Sequence, residues 1–219
     1  MCNFASLFRM LLAVSVLLPF ADAIAQTSPA PAEDSTSTAG HASPDEKWEF
    51  VDGADEPKLR KSDTKEVVLD LGEQGPGSVL WAPDSKRFAL KSVSGHQSSL
   101  YQLRDDHWVE LESPDDEAYQ KANAVLAAEA KRKGVPKTIS GRTPWWSLEA
   151  DEWVQATTLV MHASLSKRFE WGEGQAKDIS GTFLVTLKFD DAGKWKIIKM
   201  RQLSEKEAED KQKEGEAKP

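Results

Sequence analysis

The sequence has only one cysteine, Cys2, and it lies close to the amino terminus. The rest of the chain therefore cannot form an internal disulfide bond, supply a thiol nucleophile or bind a metal through thiolates. Histidine is also scarce, and no two of its positions have the spacing of metal ligands; these positions are His41, His96, His107 and His162. We therefore expect neither a metal site nor a cofactor, and we expect the apolar core to stabilise the fold.

An excess of positive charge is absent as well. The chain has 28 lysine and arginine residues against 36 aspartate and glutamate residues, so its formal net charge is -8. Domains that bind nucleic acids carry a basic patch, and an anionic membrane surface attracts the same kind of charge. The composition argues against both partners and fits a soluble, freely diffusing protein.

The only long apolar run, Met10–Phe20, follows Arg9. A membrane-spanning helix needs about 20 apolar residues, so this run is too short. Its length and the small residues after it are typical of a secretory signal, with cleavage after Ala23 or Ala25. We predict a signal peptide over 1–25 and a periplasmic or secreted mature protein without a membrane span. An uncleaved anchor is the alternative.

Large apolar residues are missing from two further segments. Residues 26–46 are rich in proline, serine and threonine, so they cannot bury enough surface to offset the entropy of ordering. Residues 204–219 are highly charged and of mixed sign. We predict a disordered leader and a charged disordered tail, with a frayed helix as the alternative for the tail. One folded domain then occupies 47–203.

Short stretches of apolar and polar alternation, separated by turn residues, indicate an antiparallel meander in the first half of this domain. The predicted strands are 48–51, 66–71, 78–82, 87–92, 98–103 and 108–111. A long amphipathic helix follows, and we therefore predict the α+β class, with antiparallel meander sheets and this one helix. Ser113 and Pro114 are typical of its beginning and Gly134 of its end. Its predicted apolar face comprises Ala118, Ala122, Val125, Leu126 and Ala130.

The last part of the domain has strand periodicity again. Most odd positions between Trp153 and Trp171 are large or apolar, which predicts one long half-buried strand with a bulge. Residues 182–189 and 194–200 continue the pattern on either side of a turn at Asp190–Gly193. We predict a three-stranded antiparallel meander here.

One hairpin has a recognisable motif. The segment Val79–Leu90, VLWAPDSKRFAL, with Leu100–Tyr101 on the returning strand, resembles the WD40-like repeat of TolB-type β-propellers, most closely around Trp81–Leu90. Three residues depart from that repeat: Ala82, Ser85 and Leu90. The resemblance implies a blade-like hairpin at 78–111. A propeller needs typically four to eight blades, and the motif occurs once, so we do not expect a complete propeller.

No catalytic constellation stands out, and we predict no catalytic residue. Ser164 and Lys167 match an S-x-x-K motif, but residues three apart on a strand point to opposite faces. Glu170 and Glu173 beside Trp171 could serve as the carboxylate pair of a glycosidase-like hydrolase. That extracytoplasmic hydrolase remains the enzymatic alternative.

Adjacent indoles at Trp145 and Trp146 follow Pro144 in a predicted loop. Because both cannot be buried on one strand face, an exposed member would mark a binding surface; the alternative is that both cap the core. With Trp171 they are the candidate binding residues. We predict a non-enzymatic binding module that contacts a protein, a peptide or a cell-envelope component. A structural or inhibitory module is the remaining alternative.

Overall fold

The computed structural model describes residues 41–52, 57–72, 77–92, 96–137, 139–172 and 174–216. These residues belong to the second of two units of the chain, Ser37–Pro219. The predicted signal peptide and residues 26–40 of the predicted leader lie outside the described residues.

The described residues form a mainly antiparallel β structure, so the predicted α+β class with one long helix is wrong. Within these ranges twelve strands form three four-stranded sheets, and two helices accompany them. The prediction underestimated the strands for three reasons. The two-residue strand at His41–Ala42 lay within the predicted leader, one strand was too polar to recognise, and two long strands were merged into one.

The first sheet has the strand order β1-β2-β3-β4. Its strands are β1 (His41–Ala42), β2 (Trp48–Val51), β3 (Lys58–Lys61) and β4 (Val67–Asp70). The sequence analysis missed β3, because three of its four residues are basic. Its single apolar residue, Leu59, is fully buried.

The second sheet has the order β5-β6-β7-β8 and each strand lies within one residue of its predicted bounds. The strands are β5 (Gly77–Trp81), β6 (Arg87–Ser92), β7 (Ser98–Arg104) and β8 (His107–Glu110).

In the β5–β6 turn, the Asp84 carboxylate accepts the Lys86 N–H at 3.1 Å. Ser85 has a φ of 57°, a left-handed conformation that glycine adopts more readily than other residues. Its hydroxyl accepts the Asp45 N–H at 2.9 Å, which links the turn to the first sheet.

An aromatic core joins the first and second sheets. Trp48 packs edge-on against Trp108 with ring centroids 5.5 Å apart. Phe88 stacks on Tyr101 at 4.7 Å and also contacts Trp108 at 4.9 Å. Offset and edge-to-face pairs of this kind add about 0.5–1.5 kcal/mol each beyond the burial of their area.

The third sheet has the order β12-β11-β10-β9 and contains the longest strands. They are β9 (Arg142–Gln155), β10 (Thr158–Trp171), β11 (Gln175–Phe189) and β12 (Trp195–Gln202). The single strand predicted over 153–171 is wrong, because a tight turn at Ala156 and Thr157 separates β9 from β10. The sheet is therefore four-stranded instead of three-stranded.

Helix α1 (Asp115–Arg132) covers one face of the third sheet. Four of the five predicted apolar positions are buried, namely Ala118, Ala122, Leu126 and Ala130. Val125 is exposed instead. The helix approaches the sheet closely, since a Cβ atom at Gly181 would lie 2.9 Å from Leu126 Cδ2. Small side chains on the helix make this close approach possible.

Arg87 joins the second sheet to the turns of the third. Its side chain is almost fully buried. The guanidinium donates to Gln102 Oε1 at 3.1 Å, to the Ala156 carbonyl at 3.2 Å and to the Asp190 carbonyl at 3.1 Å. Since an unpaired buried charge is costly, these three acceptors explain why the residue is tolerated there. The two turns of the third sheet are thereby held against the blade-like hairpin.

The charged segment after Leu203, predicted to be a disordered tail or a frayed helix, is helical over α2 (Glu205–Glu216). It begins with a reciprocal capping box. The Glu207 carboxylate accepts the Ser204 N–H at 2.9 Å, and the Ser204 hydroxyl accepts the Glu207 N–H at 3.3 Å. The Ser204 N–H, the Ser204 hydroxyl, which donates to the Glu207 carboxylate at 2.8 Å, and the Arg201 guanidinium together lower the pKa of Glu207 to about 2.

Candidate functional site

The face of the third sheet opposite α1 is polar. On β10 the odd residues Leu159, Met161, Ala163 and Leu165 are buried in the core, and the residues between them point to the other face. We call that other face the outer face. It follows directly from the alternation of side chains along a strand.

Cross-strand pairing arranges the outer face in three rows. The first row holds Trp145, Ser166 and Ser180, the second holds Ser147, Ser164 and Thr182, and the third holds Glu149, His162 and Leu184. The row with the indole of Trp145 thus lies at one end, the row with three hydroxyl groups lies in the middle, and the row with the carboxylate of Glu149 lies at the other end. Neighbouring rows are two residues apart, or roughly 7 Å.

A cleft of about 550 Å³ lies on this face. The third sheet supplies its floor, and β6 and α2 supply walls. The lining residues are Lys91, Trp145, Ser147, Glu149, Ala150, Asp151, His162, Ser164, Thr182, Ala208, Glu209 and Lys211. Its volume lies within the range of small-molecule sites, about 300–1,000 Å³.

Trp145 forms the aromatic end of the cleft. It lies on β9, so the predicted loop around Trp145 and Trp146 is wrong. Its side chain is 44% exposed, and its ring contacts the His96 ring with centroids 3.9 Å apart. A large exposed indole beside a concave surface is a typical binding feature.

Trp146 points the other way, because adjacent residues on a strand face opposite sides. Its indole N–H donates to Asp115 Oδ1 at 2.7 Å, and its ring meets the Tyr119 ring edge-on at 5.4 Å. The residue therefore packs at the start of α1 and does not line the cleft. Trp146 thus packs against the core, and Trp145 is exposed at the surface.

Trp171, the third candidate, lies at the end of β10 and packs against the main core. The structure does not bring it together with Trp145. Its neighbour Glu170 is exposed and contacts Arg168 at 2.6 Å and Arg142 at 3.2 Å. The hydrogen bond from Arg168, followed by the charge of Arg142, lowers the pKa of Glu170. Glu173, the other half of the proposed carboxylate pair, lies outside the described residues.

His162 is the central titratable group of the cleft. Its Nε2 atom is buried and has no hydrogen-bond partner among the described residues. Burial lowers the pKa of His162, and the charges of Asp151 and Glu149 act in the opposite direction. Burial thus favours the neutral imidazole, which can either donate or accept a hydrogen bond.

Asp151 and Lys211 connect the sheet to α2. Asp151 lies at a bulge of β9, between the pairs Ala150–Met161 and Glu152–Val160. The Lys211 ammonium contacts the two Asp151 carboxylate oxygens at 3.0 and 3.4 Å. The bulge gives β9 one extra residue at this point, and its carboxylate holds a lysine from the helix.

The sequence analysis missed most of these residues. Alternation placed His162, Ser164 and Ser166 on the less apolar side of a strand, which is where they lie. It could not place Glu149 or Asp151 beside them, because the hairpin that pairs β9 with β10 was not recognised.

A second hollow of about 270 Å³ lies on the first sheet. Glu46, Lys47, Trp48, Lys61 and Asp63 line it. Its lysines are engaged in surface ion pairs, Lys61 with Glu66 at 2.7 Å and Lys47 with Asp45 at 3.2 Å. It offers a smaller and less varied set of groups than the cleft.

Within the described ranges, His, Cys, Asp and Glu form no group of three or more that could hold a metal ion. No helix in those ranges combines the length and the apolar character needed to cross a membrane.

Comparisons with known proteins add little to this picture. No protein-family model matches the chain, and no curated protein matches it. A chain in the complex structure of the fission yeast SREBP-SCAP binding domains is similar at 11% identity, with a TM-score of 0.32. The match covers 88% of this chain and 45% of that chain. A similarity of this size supports no inference, so the function must be argued from the site.

Proposed function

We propose that this chain is an exported, non-catalytic binding protein whose ligand site is the cleft on the outer face of the third sheet. Export rests on the predicted signal peptide over 1–25. The observation that carries the binding role is the exposed Trp145 at one end of the cleft. The ligand class expected for such a protein is a protein segment, a peptide or a component of the cell envelope.

The chemistry of the cleft supports binding. Ligand sites combine apolar or aromatic contact area with a few polar groups that fix the orientation of the ligand. Trp145 supplies the contact area, and the hydroxyls of Ser147, Ser164 and Thr182 supply donors and acceptors. His162 adds a buried ring nitrogen without a partner among the described residues.

The blade-like hairpin contributes to this role as a scaffold. The second sheet is a four-stranded antiparallel meander, the arrangement of strands in a propeller blade. Its Arg87 holds two turns of the third sheet. We assign the hairpin a positioning role and place ligand contact on the third sheet.

Titration calorimetry on the chain tests the binding role with three probes: chitohexaose, trilysine and triglutamate. We expect saturable binding of at least one probe. Trp145→Ala should weaken it by tenfold or more, since buried aromatic anchors contribute about 2 kcal/mol or more. Val154→Ala is the matched control, because Val154 is an exposed residue of the same strand outside the cleft. Equal binding by both variants, or no binding of any probe, would overturn the proposal.

A carboxylate hydrolase is the second candidate, because Glu149 and Asp151 line the same cleft. Asp151 is already held in an ion pair by Lys211, which favours binding over acid–base catalysis. The two candidates differ in one measurable respect. Turnover of chitohexaose that Glu149→Gln abolishes, with binding retained, would identify the enzyme; unchanged chitohexaose after prolonged incubation supports the binding role.

A further inference from the structure

Helix α2 covers one side of the cleft although it has almost no apolar surface with which to pack. Its sequence, EKEAEDKQKEGE, contains no large apolar residue. Isolated helices of this length are marginal in water. The helix must therefore be held by polar contacts, which a competing ligand can replace at little cost.

Helix α2 contacts the cleft through the ion pair of Lys211 with Asp151. The side chains are 34% and 24% exposed respectively, so the ammonium is partly enclosed. Around it lie Ala208 from the same helix and Glu149 from β9. The free protein thus has an ammonium group on a four-carbon stem inside its own cleft.

We propose that the cleft recognises a primary ammonium group of its ligand, and that Lys211 occupies this position until the ligand displaces it. This inference rests on the proposed binding function and names the chemistry of the ligand. Lys211 is an internal competitor, so α2 limits access to the site.

Charge and geometry support this assignment. On the sheet side the lining contains two carboxylates, Glu149 and Asp151, and one ammonium, Lys91, so its net charge is -1 once α2 has left. Trp145 lies four residues before Glu149 on the same strand, a distance of roughly 13 Å. Asp151 lies six residues from Trp145, roughly 20 Å along the strand, so a ligand with an ammonium at Asp151 needs an extended stem of that length to reach the indole. There a second cationic group gains a cation–π contact.

The full-length chain provides a matched test. Lys211→Gln removes the internal ammonium, and Lys213→Gln makes the same charge change on the same helix at a position outside the cleft. Calorimetry with spermidine at low salt measures affinity. We expect Lys211→Gln to bind spermidine about five- to tenfold more tightly than the unmodified chain, because the competent state is no longer occupied by Lys211. Lys213→Gln should match the unmodified chain.

Asp151→Asn combined with Lys211→Gln should lose the gain in affinity. Amide hydrogen exchange along α2 should accelerate in the unmodified chain when spermidine binds, which reports displacement of the helix. Unchanged affinity in Lys211→Gln, or a gain that persists in the double variant, would overturn the proposal.

Further probes separate the possible sources of the ammonium group. Spermidine represents a polyamine, trilysine a peptide side chain and a glucosamine oligomer an amino sugar, and their relative affinities identify the source. Binding of chitohexaose or triglutamate that depends on Trp145, without any ammonium dependence, would leave the binding function intact and refute the ammonium site. Absence of binding by every probe would refute both.

Discussion

The two faces of the third sheet are built from the same strands and serve opposite purposes. On β10, Met161 and Ala163 are fully buried against the core, whereas His162 and Ser164 between them line an open cleft. The inner face is apolar and closely packed against α1. The outer face has hydroxyls, carboxylates and an exposed indole, and the polar helix α2 and strand β6 border its cleft.

This difference shows how one strand can supply residues that stabilise the core on one face and residues that form a binding site on the other. Side chains of successive residues point in opposite directions, so a single alternating sequence supplies a core on one side and a site on the other. Changes on the inner face should therefore affect unfolding, and changes on the outer face should affect binding. Three predictions test that separation.

The largest effect is expected from a pair of neighbours on β11. Phe183 is fully buried on the inner face and Thr182 lines the cleft. Phe183→Ala should lower the free energy of unfolding by about 3–5 kcal/mol, because it removes buried contacts and leaves a cavity. Thr182→Ala should cost less than about 1 kcal/mol. Urea unfolding of both variants measures this, and similar losses would refute the division between the faces.

An intermediate effect is expected where α1 approaches the inner face. Ala122 is fully buried and Ala124 is exposed on the same helix. Ala122→Leu should destabilise the fold by about 1–3 kcal/mol, since added volume has no space in a tightly packed interface. Ala124→Leu should stay within about 0.5 kcal/mol of the unmodified chain. Thermal unfolding compares the two, and a stabilising Ala122→Leu would show that the helix is loosely packed.

The smallest effect concerns the outer face and depends on pH. Burial lowers the pKa of His162 below its ordinary value of 6.5. As the pH falls below about 6.5, the unfolded chain therefore takes up a proton before the folded chain does, and stability decreases. His162→Gln should remove this contribution, so that stability falls less between pH 7.5 and 5.5 than in the unmodified chain.

Urea midpoints of the unmodified chain and of His162→Gln at the two pH values measure the contribution. His107→Gln, which replaces an exposed histidine of β8, is the control and should keep the pH dependence of the unmodified chain. If the urea midpoint of His162→Gln changes with pH as much as that of the unmodified chain, His162 is not the group responsible for the loss of stability at low pH.

Local signals predicted part of this fold well. The strands of the second sheet were placed within one residue, because residues such as Pro83 and Asp84 punctuate short alternating runs. Helix α1 was predicted for a similar reason, although its N-cap residue is Pro114 and not Ser113. The Ser113 hydroxyl accepts the Asp115 N–H at 3.3 Å. Where residues that favour turns or helix ends lie at an element's boundary, the sequence predicts that boundary well.

Other parts could not be predicted from local signals. The turn between β9 and β10 has the sequence Gln155-Ala156-Thr157-Thr158, without glycine, proline, asparagine or aspartate, so no local residue marks it. The turn is held by a contact from another sheet, because the buried Arg87 guanidinium of the second sheet donates to the Ala156 carbonyl. No residue near the turn in the sequence indicates this contact. Tertiary contacts therefore stabilise this turn. Because the turn was not recognised, strand β9 was missed as a separate element, and the strand content on which the predicted α+β class depended was too low.

The sequence by itself determined which side chains alternate and where helix α1 lies, and it singled out the two adjacent indoles as candidate binding residues. Only the tertiary structure decided that Glu149 pairs with His162, that Asp151 is presented at a bulge, and that Lys211 reaches it from a distant helix. The reason is physical: alternation is a property of neighbouring residues. A cleft depends on the register between strands that are far apart along the chain, and that register is set by packing on the opposite face.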